Sequence, residues 1–310
     1  MLLVILAGFA ALGWNEFTWH RAVRQLREAE FVEGKNPDYP GLGVRLWATA
    51  RHDWHSLFQA RVWKGEPVSW SKLDDKAGQL RNLDTVASAL RRVQPGSLVF
   101  GDCPALQNVD GLRGLTSLWH LRFGDCPALK NVDGLQGFSA LVRVEFGDCP
   151  VLQNLDGLKG HASLLKLFFG DCPALKNLDV LKGFPSLMEF EIGGCPALRD
   201  LNVFKGLSHL ELLALTDCSA LQNLDGLKGL PKLGLLVIIN SSALQNLDGL
   251  KALPKLGRLI LERSSELRDI AALKNLTALE QLDLRGCPKI PPEQVAALRA
   301  ALPNTRIDYP

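Results

Sequence analysis

From Leu106 onward the apolar residues of this chain keep a fixed spacing. They stand three apart at Leu106, Val109, Leu112, Leu115 and Leu118, then two apart at Leu121 and Phe123, before the polar turn Gly124-Asp125-Cys126. The pattern returns every 23 residues. The string Phe100-Gly101-Asp102-Cys103-Pro104-Ala105-Leu106 reappears from Phe123 and Phe169, and with one change from Phe146. Weaker copies put Cys195, Cys218, Ser241, Ser264 and Cys287 at the cysteine position, so nine marks run from 103 to 287 without insertion or deletion. A constant period of this length is the signature of a solenoid.

A spacing of three suits a 3₁₀-like return arm, and the alternation Leu121-Arg122-Phe123 reads as a short strand with one buried face. One such unit cannot cover its own apolar faces. Stacked copies with parallel strands can, and stability then becomes a sum of nearest-neighbour contributions. About ten strands are expected, from Leu98 to the stretch Thr305 to Ile307. The string Leu118-x-x-Leu121-x-Phe123-x-x-Cys126-x-x-Leu129 resembles the cysteine-containing leucine-rich repeat, over about residues 98 to 310. The resemblance implies an α/β-type solenoid with a parallel concave sheet and irregular or 3₁₀ convex arms. It also implies use as a platform for protein recognition, and it brings no catalytic residues with it.

Outside the periodic region the pattern divides the chain into an apolar N-terminal segment (1–20), a tryptophan-rich capping region (21–97), the solenoid (98–290) and a C-terminal cap (291–310). Residues 2–14, LLVILAGFAALGW, are apolar throughout and are followed by Arg21, Arg24 and Arg27. Thirteen apolar residues are short for a spanning helix. No Lys or Arg precedes them, which counts against a secretory signal unless the chain starts further upstream. The expectation is a membrane-associated N-terminus with the soluble part on the cytoplasmic side. Export with signal cleavage, and packing of the segment on the protein itself, are the alternatives. In the capping region Trp47, Trp54, Leu57, Phe58 and Arg61 keep helical spacing, which predicts an amphipathic helix over 44–64. A second helix is expected over 84–93, and a third opens at Pro291-Pro292 and runs to Leu302.

A net charge of +2 excludes the basic excess expected of a nucleic-acid footprint. All seven cysteines share one repeat position with Ser241 and Ser264, so a small hydrogen-bonding group inside the turn suffices and the thiols read as structural. Spacing of 23 fits no zinc pattern. Asp110, Asp133, Asp156, Asp179, Asp225 and Asp248 form a second stripe, read as caps of the arms that pair with the residue three further on. A calcium role would need several oxygens per ion, and nearly every one of these carboxylates has a basic neighbour. His52 and His55 lack a third metal ligand, and His161 reads as a partly exposed substitution at an apolar position. There is no phosphate-cradling glycine loop. No metal, cofactor or small-molecule substrate is implied.

On the concave wall Arg122, Arg143, Glu145, Lys166, Glu189 and Glu191 mix signs, and Gly101, Gly124, Gly147, Gly170 and Gly193 are expected to leave a shallow track. Further along, Leu212, Leu235, Val237, Ile239 and Ile260, with Arg258 and Glu262 at the border, place apolar side chains where water should be. These seven residues are the candidate partner-binding site. The sequence thus reads as a non-enzymatic scaffold that presents its concave face to a protein. The rivals are a purely structural repeat protein with no dedicated ligand, and an enzyme with its site in residues 31–97.

Overall fold

A computed structural model describes residues 94–310 continuously, with residues 81, 83, 84, 87, 90 and 91 and the strands at 44–45 and 68–70. Through it runs one parallel sheet whose strands follow chain order. They are β1 (Val44–Arg45), β2 (Val68–Trp70), β3 (Ser97–Phe100), β4 (His120–Phe123), β5 (Arg143–Phe146) and β6 (Lys166–Asp171). There follow β7 (Glu189–Gly193), β8 (Leu212–Thr216), β9 (Leu235–Ile239), β10 (Arg258–Ile260), β11 (Gln281–Asp283) and β12 (Arg306–Asp308). Pairing is in repeat register, so Leu98 faces Leu121, Leu121 faces Val144 and Val144 faces Leu167.

From β3 to β12 the ten strands stand where the period places them. Two more precede them in the capping region: β2 pairs with β3 and β1 with β2. They continue the ladder where β3 would otherwise present an open edge. Val44 and Arg45 are therefore extended, and the helix expected over 44–64 does not begin at 44. A β-branched residue opposite Val68 suits a strand better than a first helical turn. The rest of that helix, His52 and His55, and the apolar segment 1–20 lie outside the described residues. Asp84, Ala87, Leu90 and Arg91 are helical, in keeping with the helix expected over 84–93. Leu83 and Leu90 join the core of the first repeat.

From β3 to β10 each strand returns through a 3₁₀ arm, such as Asp110–Leu112, Asp133–Leu135 or Asp156–Leu158. The expected aspartate caps are corrected here: the aspartate that opens an arm does not cap it, and where aspartates do cap, as Asp200 for the Asn202 N–H at 2.9 Å and Asp269 for that of Ala271 at 2.8 Å, they stand two residues before the arm. The cap comes from two residues earlier, where Asn108, Asn131 and Asn154 accept the N–H of Asp110, Asp133 and Asp156 at 3.1, 3.2 and 3.0 Å. A side chain two positions back folds onto that N–H as an Asx turn, whereas the first residue of the arm points its own carboxylate outward. There it meets the cation three residues on, as in Asp156–Lys159 at 2.9 Å and Asp248–Lys251 at 2.6 Å. The arms stack backbone on backbone. A Cβ on Gly134 would lie 2.2 Å from the Val109 carbonyl oxygen, and one on Gly157 1.9 Å from that of Val132.

Inside, Phe100, Phe123, Phe146 and Phe169 stack with ring centroids 4.5, 5.3 and 5.5 Å apart. The far end is closed by a helix, Pro292–Ala301, which buries Val295 and Leu298. Its Gln294 accepts the Ile270 N–H at 2.9 Å and donates to the Arg268 carbonyl at 3.2 Å, substituting for the missing next arm.

Candidate functional site

What reaches the concave face is decided by the turn that ends each strand. In the early repeats Asp102 accepts the N–H of Asp125 at 3.1 Å, Asp125 that of Asp148 at 3.0 Å, and Asp148 that of Asp171 at 3.1 Å. This ladder crosses the place where a side chain would stand. A Cβ on Gly124, Gly147 or Gly170 would meet the neighbouring Asp Oδ1 at 2.3, 2.4 and 2.2 Å. The expected shallow glycine track is therefore lined by carboxylates, which lean across to satisfy backbone that the strands leave unpaired.

The crossing carboxylates run as far as Asp171, whose Oδ1 a Cβ on Gly193 would meet at 2.4 Å, beside the register shift between Phe169 and Asp171 where β6 meets β7. Beyond it the residue before the cysteine position is left-handed: Gly194, Asp217, Asn240, Arg263 and Gly286 have φ of 56°, 56°, 57°, 57° and 71°. Its N–H now reaches the next repeat directly, as from Asp217 to the Ile239 carbonyl at 2.9 Å and from Asn240 to that of Glu262 at 3.0 Å. Freed of the crossing carboxylate, the last strand position accepts Thr216, Ile239, Glu262 and Arg285 in place of glycine.

On the first half of the face, two arginines and a histidine gather round one carboxylate. Glu145 receives His120 Nε2 at 3.5 Å, Arg122 Nη1 at 3.6 Å and Arg143 Nε in direct contact. Burial alone would raise its carboxyl, yet these three neighbours hold it below the usual range. Ser97 Oγ lies 2.8 Å from His120 Nδ1, so serine, histidine and glutamate form a chain across three strands. Ser97 is 1% exposed and Glu145 is bound by two arginines, so the chain has neither access for a substrate nor a carboxylate reserved for the imidazole. Its chemistry is structural. Neither Ser97 nor His120 stood out in the sequence, although their separation of one repeat was the signal that places them side by side.

Glu191 meets the opposite fate two strands on. It faces Phe168 on β6 and Ala214 on β8 and is buried. Burial, with Glu189 and Glu145 nearby, pushes it up to about 8 against the pull of Arg143. The Arg143 guanidinium sits 5.6 Å from the Phe168 ring centroid, and Lys166 pairs with Glu189 at 2.6 Å.

The candidate residues stand on neighbouring strands. Leu212, Leu235 and Arg258 form one cross-strand row, Ala214, Val237 and Ile260 a second, and Thr216 and Ile239 a third. All are half-buried, because each row packs along itself. Past them, Arg285 binds Asp283 at 2.6 Å and Glu262 at 2.5 Å. Burial raises Glu262, and Asp283 adds to the rise. Asp283, which burial would also raise, is held low by Arg285.

All seven thiols are free and buried. Cys103 and Cys126 each donate to the carbonyl two residues back at 3.4 Å, and burial pushes the Cys218 thiol up to about 12. Ser241 and Ser264 are not equivalent substitutes. Their hydroxyls are fully buried and find no hydrogen-bond partner, the C–O bond being too short to reach what sulfur reaches. His161 is also corrected: it is 2% exposed, with Nδ1 2.7 Å from the Leu158 carbonyl and Nε2 2.9 Å from that of Leu135. The ring fills an apolar-sized space between two arms whose carbonyls supply partners.

No family model and no curated protein matches the chain. Among solved structures it is similar to internalin C2 of Listeria monocytogenes, with 22% identity over 65% of this chain and 84% of the other and a TM-score of 0.46. The leucine-rich repeat domain of the type III effector XopL gives 23% identity over 74% and 73%, with a TM-score of 0.49. A leucine-rich repeat protein of Leptospira interrogans gives 14% over 83% and 98%, with a TM-score of 0.33.

Proposed function

Since the chain is a leucine-rich repeat solenoid, we propose that it is a non-enzymatic recognition scaffold which binds a protein through the concave face of β8–β10. One observation carries this reading. Leu212, Leu235, Val237, Ile239 and Ile260 lie on adjacent strands in register, Ile239 at the strand end where earlier repeats carry glycine, with Arg258 and Glu262 at the border. A contiguous apolar surface with charged margins is what a partner desolvates with gain. The first half of the face spends its charges on one another and offers no comparable surface.

The double variant Val237→Glu with Ile239→Lys tests the site. It is expected to keep the far-UV spectrum and melting behaviour of the parent while losing partner capture in pull-downs from the native source. Undiminished capture by the folded variant would overturn the assignment. Membrane association through residues 1–20 is part of the proposal and rests on the apolar run followed by Arg21, Arg24 and Arg27. Among the described residues no helix is long and apolar enough to cross a membrane.

A further inference from the structure

Six of the thiols stand in consecutive repeats, at Cys103, Cys126, Cys149, Cys172, Cys195 and Cys218, before Ser241 and Ser264 interrupt the column and leave Cys287 alone. All six lie in the core at 0–3% exposure. The backbone ties each to the next repeat in the same way: the Cys103 N–H donates to the Asp125 carbonyl at 2.9 Å, that of Cys126 to Asp148 at 2.9 Å and that of Cys149 to Asp171 at 3.1 Å. The side chains also share one setting, since the sulfurs of Cys103 and Cys126 both lie 3.4 Å from the carbonyl oxygen two residues back. Sulfurs held alike in successive repeats are separated by the repeat translation, about 4.8 Å at the sheet.

That separation decides what can join two of them. A disulfide needs Cβ atoms about 3.5–4.5 Å apart, so oxidation would have to draw two repeats together. A zinc or calcium ion needs several ligands around one point, and among the described residues no three His, Cys, Asp or Glu side chains are so grouped. The thiols form a line instead. An ion with two thiolate ligands in line, at metal–sulfur bonds of about 2.3 Å, spans about 4.6 Å and fits between adjacent repeats as they stand. Copper(I) is the soft ion that thiolates select, and its filled d shell accepts two ligands in this geometry. Within the column Cys126 is the sulfur readiest to lose its proton: hydrogen bonding with Cys103 and Cys149 lowers it to about 5 against the rise that burial would cause, and both neighbours are raised.

We propose that the thiol column binds copper(I) at Cys126, in two-coordinate linkage with the thiol of Cys103 or Cys149. Each of the two thiols gives up its proton to solvent, two copper–sulfur bonds form, and nothing is oxidised or reduced. The ion enters when a repeat opens locally. Cys287 follows Ser264 in the column, has no second sulfur one repeat before it, and serves as the internal control. The site is interior and does not depend on the β8–β10 face.

The test uses the full chain, reduced and kept free of oxygen, titrated with the acetonitrile complex of copper(I) against bicinchoninate. The folded chain is expected to withdraw copper(I) from the chelator, to show two sulfur neighbours per copper by X-ray absorption, and to melt at a higher temperature with copper(I) than without, because the ion binds the native state. Cys126→Ser should weaken retention about tenfold or more, since even partners outside the ligand set matter on that scale. Cys287→Ser should leave it unchanged. If Cys126→Ser does not fold, the pair Cys103→Ser and Cys149→Ser takes its place, and the double variant should lose the ion. No withdrawal of copper(I), three sulfurs per copper, or equal losses in Cys126→Ser and Cys287→Ser would each overturn the proposal. So would a lower melting temperature with copper(I), since the ion would then be bound by thiols of the opened chain.

Discussion

Cys126 and Ser241 hold the same place in their repeats, yet the Cys126 thiol reaches the carbonyl oxygen two residues back and the Ser241 hydroxyl finds no partner. A buried hydroxyl without a partner loses its hydration with nothing in return. Ser241→Cys should therefore raise stability by about 1 kcal/mol and Cys126→Ser should lower it by about as much, read from urea denaturation. Glu191 supports a prediction with a sign. Its folded value of about 8 lies above the ordinary 4.5, so between those values the folded chain holds a proton that the unfolded chain has released. Stability must then fall as pH rises through this window and level off above it. Glu191→Gln removes the dependence, and its advantage over the parent should grow by up to about 1.4 kcal/mol per pH unit between pH 5 and pH 8. An advantage that does not change with pH would mean that Glu191 is ionised in the folded state.

The element that governs stacking is the arm, and its glycine matters more than its ion pair. Gly157 has no room for a methyl group against the Val132 carbonyl, and the obstacle is backbone rather than a side chain that could turn away. Gly157→Ala should cost about 3 kcal/mol or more by forcing two arms apart. Lys159→Ala, two residues on, breaks an ion pair whose partners are 65% and 58% exposed and should cost less than about 1 kcal/mol. Comparable losses in the two variants would show that the arms do not pack as described. The aspartate ladder and the left-handed turns are the other element-level difference. They divide one nominal repeat into two kinds, the first closing its strand end with glycine and the second admitting side chains to the face.

Across the whole solenoid, contacts join each repeat to its neighbours, and the seven thiols are built-in reporters of how far a disturbance spreads. Leu187 is fully buried between repeats, so Leu187→Asp should open its own surroundings first. In pulsed alkylation at rising urea, Cys172 and Cys195 of that variant should become labelled at lower concentration than Cys287, whereas in the parent all seven should react over a common range. Simultaneous labelling in the variant would mean that the molecule opens as one unit.

The stacking itself was legible in the sequence, because a period of 23 with apolar residues three and two apart has only one way to cover them. The ten periodic strands, the buried thiol stripe, the aspartate–cation pairs and the grouping of Leu212, Leu235, Val237, Ile239 and Ile260 all follow from counting along the chain. The caps did not, because either an asparagine or an aspartate two residues on could accept an N–H at the start of the arm and only the turn's geometry chooses between them. Nor did β1 and β2, which lie outside the period and join the sheet only because β3 presents an edge. The different states of Glu145 and Glu191 were equally hidden. Both are glutamates on the same row, and what separates them is that His120, Arg143 and Arg122 surround Glu145 while burial and the carboxylates of Glu189 and Glu145 act on Glu191. Periodicity fixes which positions repeat, since it acts through local geometry common to every copy. The ionisation of a side chain, and the reach of a hydroxyl, depend on neighbours a whole repeat away, and those distances exist only once the repeats are stacked.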